Sequence, residues 1–323
     1  MEWYFVVLIV LGGLALVYTI LTFFIGKKLL KMATQPIAHT EEEARIAQAQ
    51  NEGLSYDDYD NKWDKQDFEI VGVHGKIRGV LVFNPDDVNK TRHKVAVIAH
   101  GHTWNKLNSL KYAIPFYDNG YNVVMYDHAY FGKSDGDYTT LGYYECRDLG
   151  FVVEYVRSKF GNDAIIALHG ESMGAATVLG ALSVVGGISM VVADCPFSDT
   201  MKYYRELCTQ VTHLPSFPIV DFANMISKRK FGYDFSKYKP IESVRNSDVP
   251  ICFIHGKADT FISCHHSQDM FAVCKNKLSE LHLVEGAEHA GSHRTNNAAY
   301  RKTVTDFVNK VERSLNEIDT NDN

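Results

Sequence analysis

The sequence predicts an α/β protein with a mostly parallel, doubly wound sheet, a small helical insertion and an N-terminal transmembrane helix. Three observations indicate this fold class. From residue 67 onward, short runs rich in Val, Ile and Leu alternate with helical stretches, as expected for parallel strands that are covered on both faces. More than fifty residues between Asp194 and Pro250 interrupt this alternation. The chain also begins with a long uncharged segment.

The N-terminal segment Trp3–Ile25 contains no charged residue over 23 positions. A helix of this length extends for roughly 35 Å, which is enough to cross a bilayer with some tilt. A cleaved signal peptide or a buried core helix is the alternative. A signal peptide needs a basic region before a shorter apolar run, whereas only Glu2 and the α-amino group precede this one. We therefore expect a retained membrane anchor over residues 1–31.

Three lysines, Lys27, Lys28 and Lys31, follow the apolar run directly. Basic residues concentrate on the cytoplasmic side of membrane helices, so we expect the remainder of the chain in the cytoplasm and the short N-terminus outside. The cysteines favour the same reducing compartment, because they are scattered and no pair has C-x-x-C spacing. They are Cys146, Cys195, Cys208, Cys252, Cys264 and Cys274.

Residues 32–66 are predicted to form an acidic connector. Thr40 and Glu43 match a capping box at the start of a short helix, in which the threonine oxygen accepts from the Glu43 amide. The stretch that follows, NEGLSYDDYDNKWD, is acidic and rich in turn residues. These features favour a solvated segment between the anchor and the α/β domain.

Residues 67–315 contain the predicted α/β domain. Phe68–Val73 and Lys76–Phe83 flank His74-Gly75 and predict a hairpin. Six further apolar runs predict strands, with right-handed helical crossovers between them. The strands are Lys94–His100, Tyr121–Asp127, Ala164–Gly170, Ser189–Asp194, Pro250–Gly256 and Glu280–Gly286, and the helices cover about 106–119, 141–160, 172–185, 264–276 and 295–315.

The segment 195–249 is far longer than a usual connection. Its apolar residues have helical spacing interrupted by Pro215 and Pro218, so we expect a small helical lid over the top of the sheet. The alternative is a surface insertion without function. Its larger apolar residues either line an acyl pocket or only bury the insertion's helices; they are Tyr203, Tyr204, Leu207, Phe217, Phe222 and Met225. Residues 316–323 are predicted to be a disordered tail.

The pentapeptide Gly170-Glu171-Ser172-Met173-Gly174 has the pattern of a nucleophile elbow. Such an elbow needs a strand before it and a helix after it, and the apolar run AIIAL and the small-residue run AATVLGALSVV satisfy both requirements. Glycines two positions before and after the serine allow a tight turn, since a Cβ at either place would crowd the backbone. Ser172 is therefore a candidate nucleophile at a helix N-terminus.

A serine nucleophile needs a base and a group that orients the base. Asp259 follows one predicted strand and His289 follows the next, in the order Ser, Asp, His that this architecture uses. Asp194, at the end of another strand, is an alternative acid, whereas Asp127 occurs too early in the sheet and is better explained as a turn stabiliser. His293 is an alternative base, and His282 lies inside a strand, where packing explains it better.

Two backbone amides are expected to form an oxyanion hole. One belongs to Met173, the residue after the serine, and the other to His102, in the loop after the strand Lys94–His100. Gly101 allows that loop to turn sharply. The donors are amides, so the side chains at these positions are only loosely constrained.

The composition argues against several other functions. A net charge of −6 without a basic stripe argues against a nucleic acid partner. Neither a P-loop nor a G-x-G-x-x-G motif is present in the sequence, so no nucleotide cofactor is expected. The pairs His100-x-His102 and His265-His266 lack an apparent third ligand, and no catalytic metal is expected.

Six segments together resemble the α/β-hydrolase superfamily: HGHTWNK, DHAYFGKSDG, HGESMGAAT, YDFSKYKPIESV, FIHGKADTFI and EHAGSH. They are more narrowly similar to bacterial membrane-anchored α/β hydrolases of the serine aminopeptidase and carboxylesterase branch. The resemblance spans about residues 67–311. It implies Ser172 as nucleophile, His289 as base and Asp259 as its partner, with oxyanion donors at His102 and Met173.

The sequence departs from the family pattern at one position. The turn after Asp127 often has an arginine two residues on, and here Ala129 occupies that position. Members of this group are also often described as cell-surface hydrolases, which differs from the cytoplasmic placement predicted by the lysines. We expect hydrolysis of a small-molecule ester. An amidase or aminopeptidase, in which Glu171 and Glu288 recognise an amine, a thioesterase and a non-catalytic membrane scaffold are the alternatives.

Overall fold

The computed structural model describes residues 2–321, which divide into two compact units. One unit combines Met1–Pro36 with Asp199–Tyr238, and the other combines Ile37–Ser198 with Lys239–Asn323. The predicted anchor and much of the predicted insertion therefore belong to one unit, although 162 residues separate them in the chain (from 37 to 198). The sequence analysis did not predict this grouping.

An eight-stranded sheet forms the centre of the second unit, in the order β1-β2-β4-β3-β5-β6-β7-β8. The β1–β2 and β2–β4 pairs are antiparallel and the remaining pairs are parallel. The predicted hairpin and the six predicted strands are all present. The strands are β1 (Asp64–Gly72), β2 (Gly75–Phe83), β3 (Lys94–Ala99), β4 (Asn122–Tyr126), β5 (Ile165–Glu171), β6 (Met190–Asp194), β7 (Ile251–Gly256) and β8 (Glu280–Val284).

Helices precede, connect and follow these strands. They are α1 (Trp3–Thr34), α2 (Glu41–Glu52), α3 (Asp57–Asn61), α4 (Leu110–Tyr117), α5 (Glu145–Phe160), α6 (Met173–Ala181), α7 (Thr200–Thr212), α8 (Ile219–Phe231), α9 (Pro240–Arg245), α10 (His265–Phe271), α11 (Ser292–Thr295) and α12 (Asn297–Asn321). The alternation of strands and helices in the second unit is that of the predicted α/β class.

The central strands are buried on both faces, which explains their continuous apolar sequences. Ile98 and Val123 face a core to which α4 contributes Phe116 and α12 contributes Phe307. Side chains alternate along a strand, so neighbours such as Val97 face the opposite side of the sheet. The C-terminal ends of β3, β5 and β6 are aligned, because Ala99 pairs with Gly170 and Glu171 pairs with Asp194.

The predicted connector is more ordered than expected. The capping box at Thr40 and Glu43 is confirmed, with both reciprocal hydrogen bonds present at the start of α2. The sheet begins at Asp64, inside the predicted connector, because β1 pairs with β2 along its whole length from Asp64 opposite Phe83. Most side chains of β1 are not buried, since it is an edge strand, and this explains why its polar residues 64–67 were not included in the predicted strand Phe68–Val73.

The predicted disordered tail, 316–323, is wrong over residues 316–321. Helix α12 continues through them to Asn321, and residues 322 and 323 lie outside the described part of the chain. Tyr300, Val304, Phe307 and Val311 of α12 are buried in the core and establish the helix, which then extends beyond its last buried turn. The end of apolar spacing was therefore a poor indicator of the end of the helix.

The first unit contains α1, α7 and α8. The apolar side chains of α1 from Trp3 to Leu21 are exposed, and its length and composition are sufficient to cross a membrane. Further along, Thr22, Gly26, Leu30 and Thr34 are buried at intervals of four residues, so one face of α1 is covered. The predicted insertion contains α7 and α8, joined by an ion pair of 3.0 Å between Arg205 and Asp221.

Candidate active site

Ser172 lies on a strained turn between β5 and α6. Its φ of 55° and ψ of −113° are unusual for a residue with a side chain. The flanking glycines are required by close backbone approaches. A Cβ at Gly170 would lie 2.2 Å from the carbonyl oxygen of Gly174, and a Cβ at Gly174 would lie 2.2 Å from that of Ala99. The structure therefore has the strand, turn and helix that the pentapeptide predicted.

The structure brings Ser172, His289 and Asp259 together at the C-terminal ends of β5, β7 and β8. Ser172 Oγ is 3.0 Å from His289 Nε2, and His289 Nδ1 is 2.7 Å from Asp259 Oδ2. His289 is partly exposed, whereas the Asp259 side chain is fully buried. With Nδ1 donating to the carboxylate, Nε2 faces the serine as an acceptor, which is the tautomer required of a general base.

The carboxylate of Asp259 is held in its ionised form. Its Oδ1 accepts hydrogen bonds from the amides of Phe261 and Ile262, at 2.9 and 2.8 Å. Burial opposes ionisation, but hydrogen bonds from His255 and His289 outweigh it and hold the pKa of Asp259 well below its usual range. An ionised carboxylate in this position is the kind of partner that orients a histidine base and stabilises its imidazolium form.

The two predicted oxyanion donors lie at neighbouring positions in the fold. Met173 is the first residue of α6, so its amide has no acceptor within the helix. His102 lies two residues beyond His100 in the loop after β3, and the close approach of Gly174 to Ala99 brings the start of α6 against the end of that strand. In the same loop, a Cβ at Gly101 would lie 2.6 Å from Glu171 Oε1. The fold therefore places Gly101, the residue before His102, beside the elbow, and the assignment of the two amides as oxyanion donors stays a prediction.

The alternative acid and base have other partners. Asp194 is buried, and its carbonyl oxygen accepts from the Ser172 amide at 2.8 Å. Burial, and to a smaller extent the charge of Glu171, raises the pKa of the Asp194 carboxyl to about 7. His293 is buried and its Nδ1 is 2.8 Å from Glu52 Oε2. Neither residue contributes to the hydrogen bonds that connect Ser172 to Asp259.

Two further predictions concerned residues outside the triad. Asp127 stabilises a turn, since its carboxylate accepts from the amides of Lys106 and Lys133, at 2.7 and 2.9 Å. His282 lies in β8, where its Nε2 is 2.9 Å from Glu280 Oε2. The first observation agrees with the turn role predicted for Asp127, whereas the His282 side chain is 40% exposed and pairs with Glu280 instead of packing in the core.

A model described as the prolyl oligopeptidase family matches residues 111–314, which is more than half of the chain. The chain belongs to the prolyl oligopeptidase family. Its fold is that of an α/β hydrolase, as the resemblance implied.

Relatives and solved structures of this family member span most of its length. Bacillus subtilis YqkD, described as uncharacterized, is 35% identical and covers 78% of this chain and 81% of its own. Escherichia coli K12 YfhR, also described as uncharacterized, is 25% identical, over 76% of this chain and 81% of its own. The Pyrococcus furiosus esterase Pf2001 shares the fold at a TM-score of 0.64 and 23% identity. The match covers 80% of this chain and 96% of Pf2001. Est1E from Butyrivibrio proteoclasticus, bound to ferulic acid, has a TM-score of 0.60 at 17% identity. The match covers 76% of this chain and 99% of Est1E.

A buried ionic cluster next to Ser172 in this prolyl oligopeptidase family member was not predicted from the sequence. Lys111 lies 3.2 Å from Glu52 and 3.4 Å from Glu171, and all three side chains are buried. Tyr112 donates a hydrogen bond to Glu171 Oε2. Burial opposes protonation of Lys111, but the charges of Glu171 and Glu52 outweigh it and raise the lysine pKa. An acidic residue beside a candidate nucleophile was the only signal in the sequence.

Two groups of side chains in the second unit have a geometry that a metal ion could use. The ligand atoms of Cys195, Asp259 and His289 lie within 4.8 Å of one another, as do those of Cys252, Glu280 and His282. Burial raises the pKa of both cysteines well above the usual value, which disfavours the thiolate that a metal binds. The first group also includes the two partners of the nucleophile, so a metal there would compete with proton transfer.

Proposed function

We propose that this chain is a membrane-anchored serine hydrolase that cleaves carboxylic esters through an acyl-enzyme. The observation that supports the proposal most strongly is the continuous hydrogen-bonded chain Ser172–His289–Asp259, with contacts of 3.0 and 2.7 Å. Family membership and the α/β-hydrolase fold support the serine hydrolase class independently.

The proposed reaction has two halves. In the first, Ser172 Oγ attacks the ester carbonyl while His289 Nε2 accepts its proton, and the amides of Met173 and His102 stabilise the oxyanion. His289 then protonates the alcohol as it leaves, and an acyl-enzyme remains on Ser172. In the second half, His289 activates water, which releases the acid and restores the serine. Asp259 orients His289 throughout and remains ionised.

The surroundings of the nucleophile favour an ester over an aminoacyl substrate. An aminopeptidase needs a carboxylate to bind the substrate amine, and Glu171 was the nearest candidate in the sequence. Glu171 is buried and engaged by Lys111 and Tyr112, so its charge is already compensated. Glu288, the other candidate, is exposed on the loop before His289. Two similar structures support this choice. Pf2001 is described as an esterase, and Est1E is bound to ferulic acid.

Peptide hydrolysis is the second candidate, because the matching family is described by a peptidase activity. The same three residues catalyse amide cleavage when the leaving amine is protonated effectively. A turnover panel separates the two candidates: p-nitrophenyl esters of graded acyl length, aminoacyl p-nitroanilides and prolyl amides. We expect kcat/KM for an ester to exceed that for every amide by at least about 100-fold, or ~2.7 kcal/mol in transition-state stabilisation. A preference for a prolyl amide would contradict the ester proposal.

A fluorophosphonate probe tests the nucleophile directly. We expect the probe to label the wild-type chain and to leave Ser172→Ala unlabelled, because the probe reacts with an activated serine hydroxyl. Ser134→Ala is a suitable control, since Ser134 Oγ donates to the Asp127 carbonyl in the turn after β4. Equal labelling of wild type and Ser172→Ala would assign the nucleophile elsewhere.

The membrane anchor is the other part of the proposal. Exposed apolar side chains from Trp3 to Leu21 do not suit a soluble core helix, and a bilayer would cover them. Helix α8 packs against α1 at Gly26, so cleavage of α1 as a signal peptide would uncover apolar residues of α8. Lys27, Lys28 and Lys31 support a cytoplasmic C-terminal side. Protease added to intact cells should leave residues 37–321 undigested, and digestion from outside would reverse this orientation.

A further inference from the structure

The end of helix α1 and helix α8 line an open cavity that the proposed hydrolysis does not use. Its volume is about 350 Å³, and it lies entirely within the unit formed by Met1–Pro36 and Asp199–Tyr238. Four lysines line it: Lys27, Lys28 and Lys31 from α1, and Lys230 from α8. The described lining includes no acidic side chain. The cavity is therefore strongly positive.

Apart from Thr34 and Gln35, the rest of the cavity lining is apolar. Phe24 and Leu30 contribute from α1, and Ile226 and Phe231 contribute from α8. A site with basic groups at one boundary and an aromatic and aliphatic wall matches a ligand that has an anionic group joined to a hydrocarbon chain. A simple inorganic anion would use only the lysines.

The position of the cavity along α1 matches the surface of a bilayer. Ile25 is the last large apolar residue of the run, and Lys27, which follows Gly26, is the first lysine after it. Phe24 therefore lies on the apolar side of this boundary and the lysines lie on the polar side, where headgroup phosphates are found. Basic pockets at this depth are typical sites for anionic lipid headgroups.

Helix α8 is held closely against this part of α1. A Cβ at Gly26 would lie 2.4 Å from the carbonyl oxygen of Ile219 and 3.2 Å from the amide nitrogen of Ala223, so only glycine permits this approach. Small residues serve the same purpose where membrane helices cross. The cavity thus has walls from two helices in fixed contact.

The loop before α8 contacts α1 within the apolar N-terminal run of that helix. The hydroxyl of Tyr18 lies 3.4 Å from the carbonyl oxygen of Phe217, and Phe23 contacts Phe222 edge to face at 5.6 Å between ring centroids. Tyr18 precedes Ile25 by seven residues (25 − 18), which is about 10 Å along a helix. Phe217 is 66% exposed and Leu214 is 40% exposed. A leaflet around α1 would cover both side chains.

We propose that this cavity, lined by Lys27, Lys28, Lys31 and Lys230, binds the headgroup of an anionic phospholipid in the leaflet that the loop between α7 and α8, residues 213–218, enters. The phosphate contacts the lysines, and an acyl chain follows Phe24 and Ile226. The proposal rests on the proposed membrane span of α1, and it is independent of the chemistry at Ser172. It accounts for the basic lining, the apolar wall and the exposed loop together.

Lys230 is the best of the four lysines to replace. It lies about 200 residues from the span, so its replacement leaves the three lysines of α1 that predict the membrane orientation unchanged. Its neighbour Arg229 is a matched control, since it is also exposed on α8 and does not line the cavity. Full-length protein in neutral detergent micelles is titrated with phosphatidylglycerol or phosphatidylcholine, and bound lipid is counted by native mass spectrometry.

We expect one phosphatidylglycerol to bind saturably, and Lys230→Gln to weaken it about fivefold or more, which is the effect of one lysine near a lipid surface. Lys230→Arg should retain binding, and Arg229→Gln should change it by less than about twofold. Equal weakening by Lys230→Gln and Arg229→Gln would show a diffuse charge effect and overturn the proposal. Equal binding of phosphatidylcholine would overturn it as well.

Two further measurements separate the possible failures. Inorganic phosphate that displaces phosphatidylglycerol at equal concentration would assign the cavity to a free anion and contradict a lipid site. Extraction of membranes with alkaline carbonate tests the span itself, and release of the chain would overturn both the anchor and the lipid site. Fluorophosphonate labelling of Ser172 in the same samples reports the proposed hydrolase separately, so loss of lipid binding with labelling retained contradicts the lipid site alone.

Discussion

His289 Nδ1 lies 2.7 Å from Asp259 Oδ2, and this contact distinguishes Asp259 from the other carboxylate at a strand end, Asp194. Asp259→Asn should lower ester kcat by about 10³-fold or more, because the amide favours the wrong histidine tautomer. Asp194→Asn is the matched control and should lower kcat by less than about tenfold, since its carboxylate has no described contact with His289. Steady-state kinetics on one p-nitrophenyl ester provide the comparison. A larger loss of kcat from Asp194→Asn would show that Asp194, at the end of β6, is the acidic partner of the histidine.

Gly174→Ala should abolish fluorophosphonate labelling while the chain remains expressed. The added Cβ would lie 2.2 Å from the carbonyl oxygen of Ala99, so α6 would have to move away from β3 and the elbow would open. Gly186→Ala is the control, because no atom lies within 4 Å of its added Cβ. Labelling is read on a gel beside circular dichroism. Unchanged labelling of Gly174→Ala would mean that the elbow tolerates this shift.

Lys111→Met should destabilise the second unit by about 3–5 kcal/mol, because Glu52 and Glu171 would keep buried charges without a cation. Lys62→Met removes an exposed lysine that pairs with Asp58, and we expect little change. Urea unfolding followed by tryptophan fluorescence measures both free energies. If Lys111→Met unfolds at the wild-type midpoint, the cluster contributes no net electrostatic stabilisation.

Asp148 should make stability fall as the pH rises. Burial raises the pKa of its carboxyl to about 7 in the folded chain, although the Val73 amide donates to Oδ1 at 2.7 Å. The unfolded carboxyl has an ordinary pKa near 4. Between pH ~4 and ~7 the folded state therefore binds more protons than the unfolded state, and stability declines through this window.

Asp148→Asn should remove this dependence. Its asparagine oxygen can still accept from Val73, so we expect a gain on the order of 2–4 kcal/mol at pH 8 and almost none at pH 4. Asp163→Asn, at an exposed carboxyl, is the control and should leave the pH dependence unchanged. Melting temperatures measured from pH 4 to 8 give the comparison. Parallel curves for Asp148→Asn and wild type would show that Asp148 is ionised in the fold.

The local sequence was sufficient to predict the strands of the sheet and the order of Ser172, Asp259 and His289. Strands buried on both faces need continuous apolar runs, and a tight elbow needs glycines at fixed positions, so both leave short-range patterns. The first residues of the edge strand β1, 64–67, and the last residues of α12 left no such pattern. The start of β1 is largely exposed and depends on pairing with β2, and the end of α12 depends on the core contacts of its earlier turns.

The sequence by itself determined the fold class, the elbow and an apolar helix at the N-terminus, because each depends on neighbouring residues. Only the tertiary structure decided which strand-end carboxylate contacts His289, and that Lys111 compensates Glu171 from 60 residues away (171 − 111). It also decided that α8 packs against Gly26 and completes a lysine-lined cavity with α1. These relationships join residues far apart in the chain, and no local pattern encodes the distance between them.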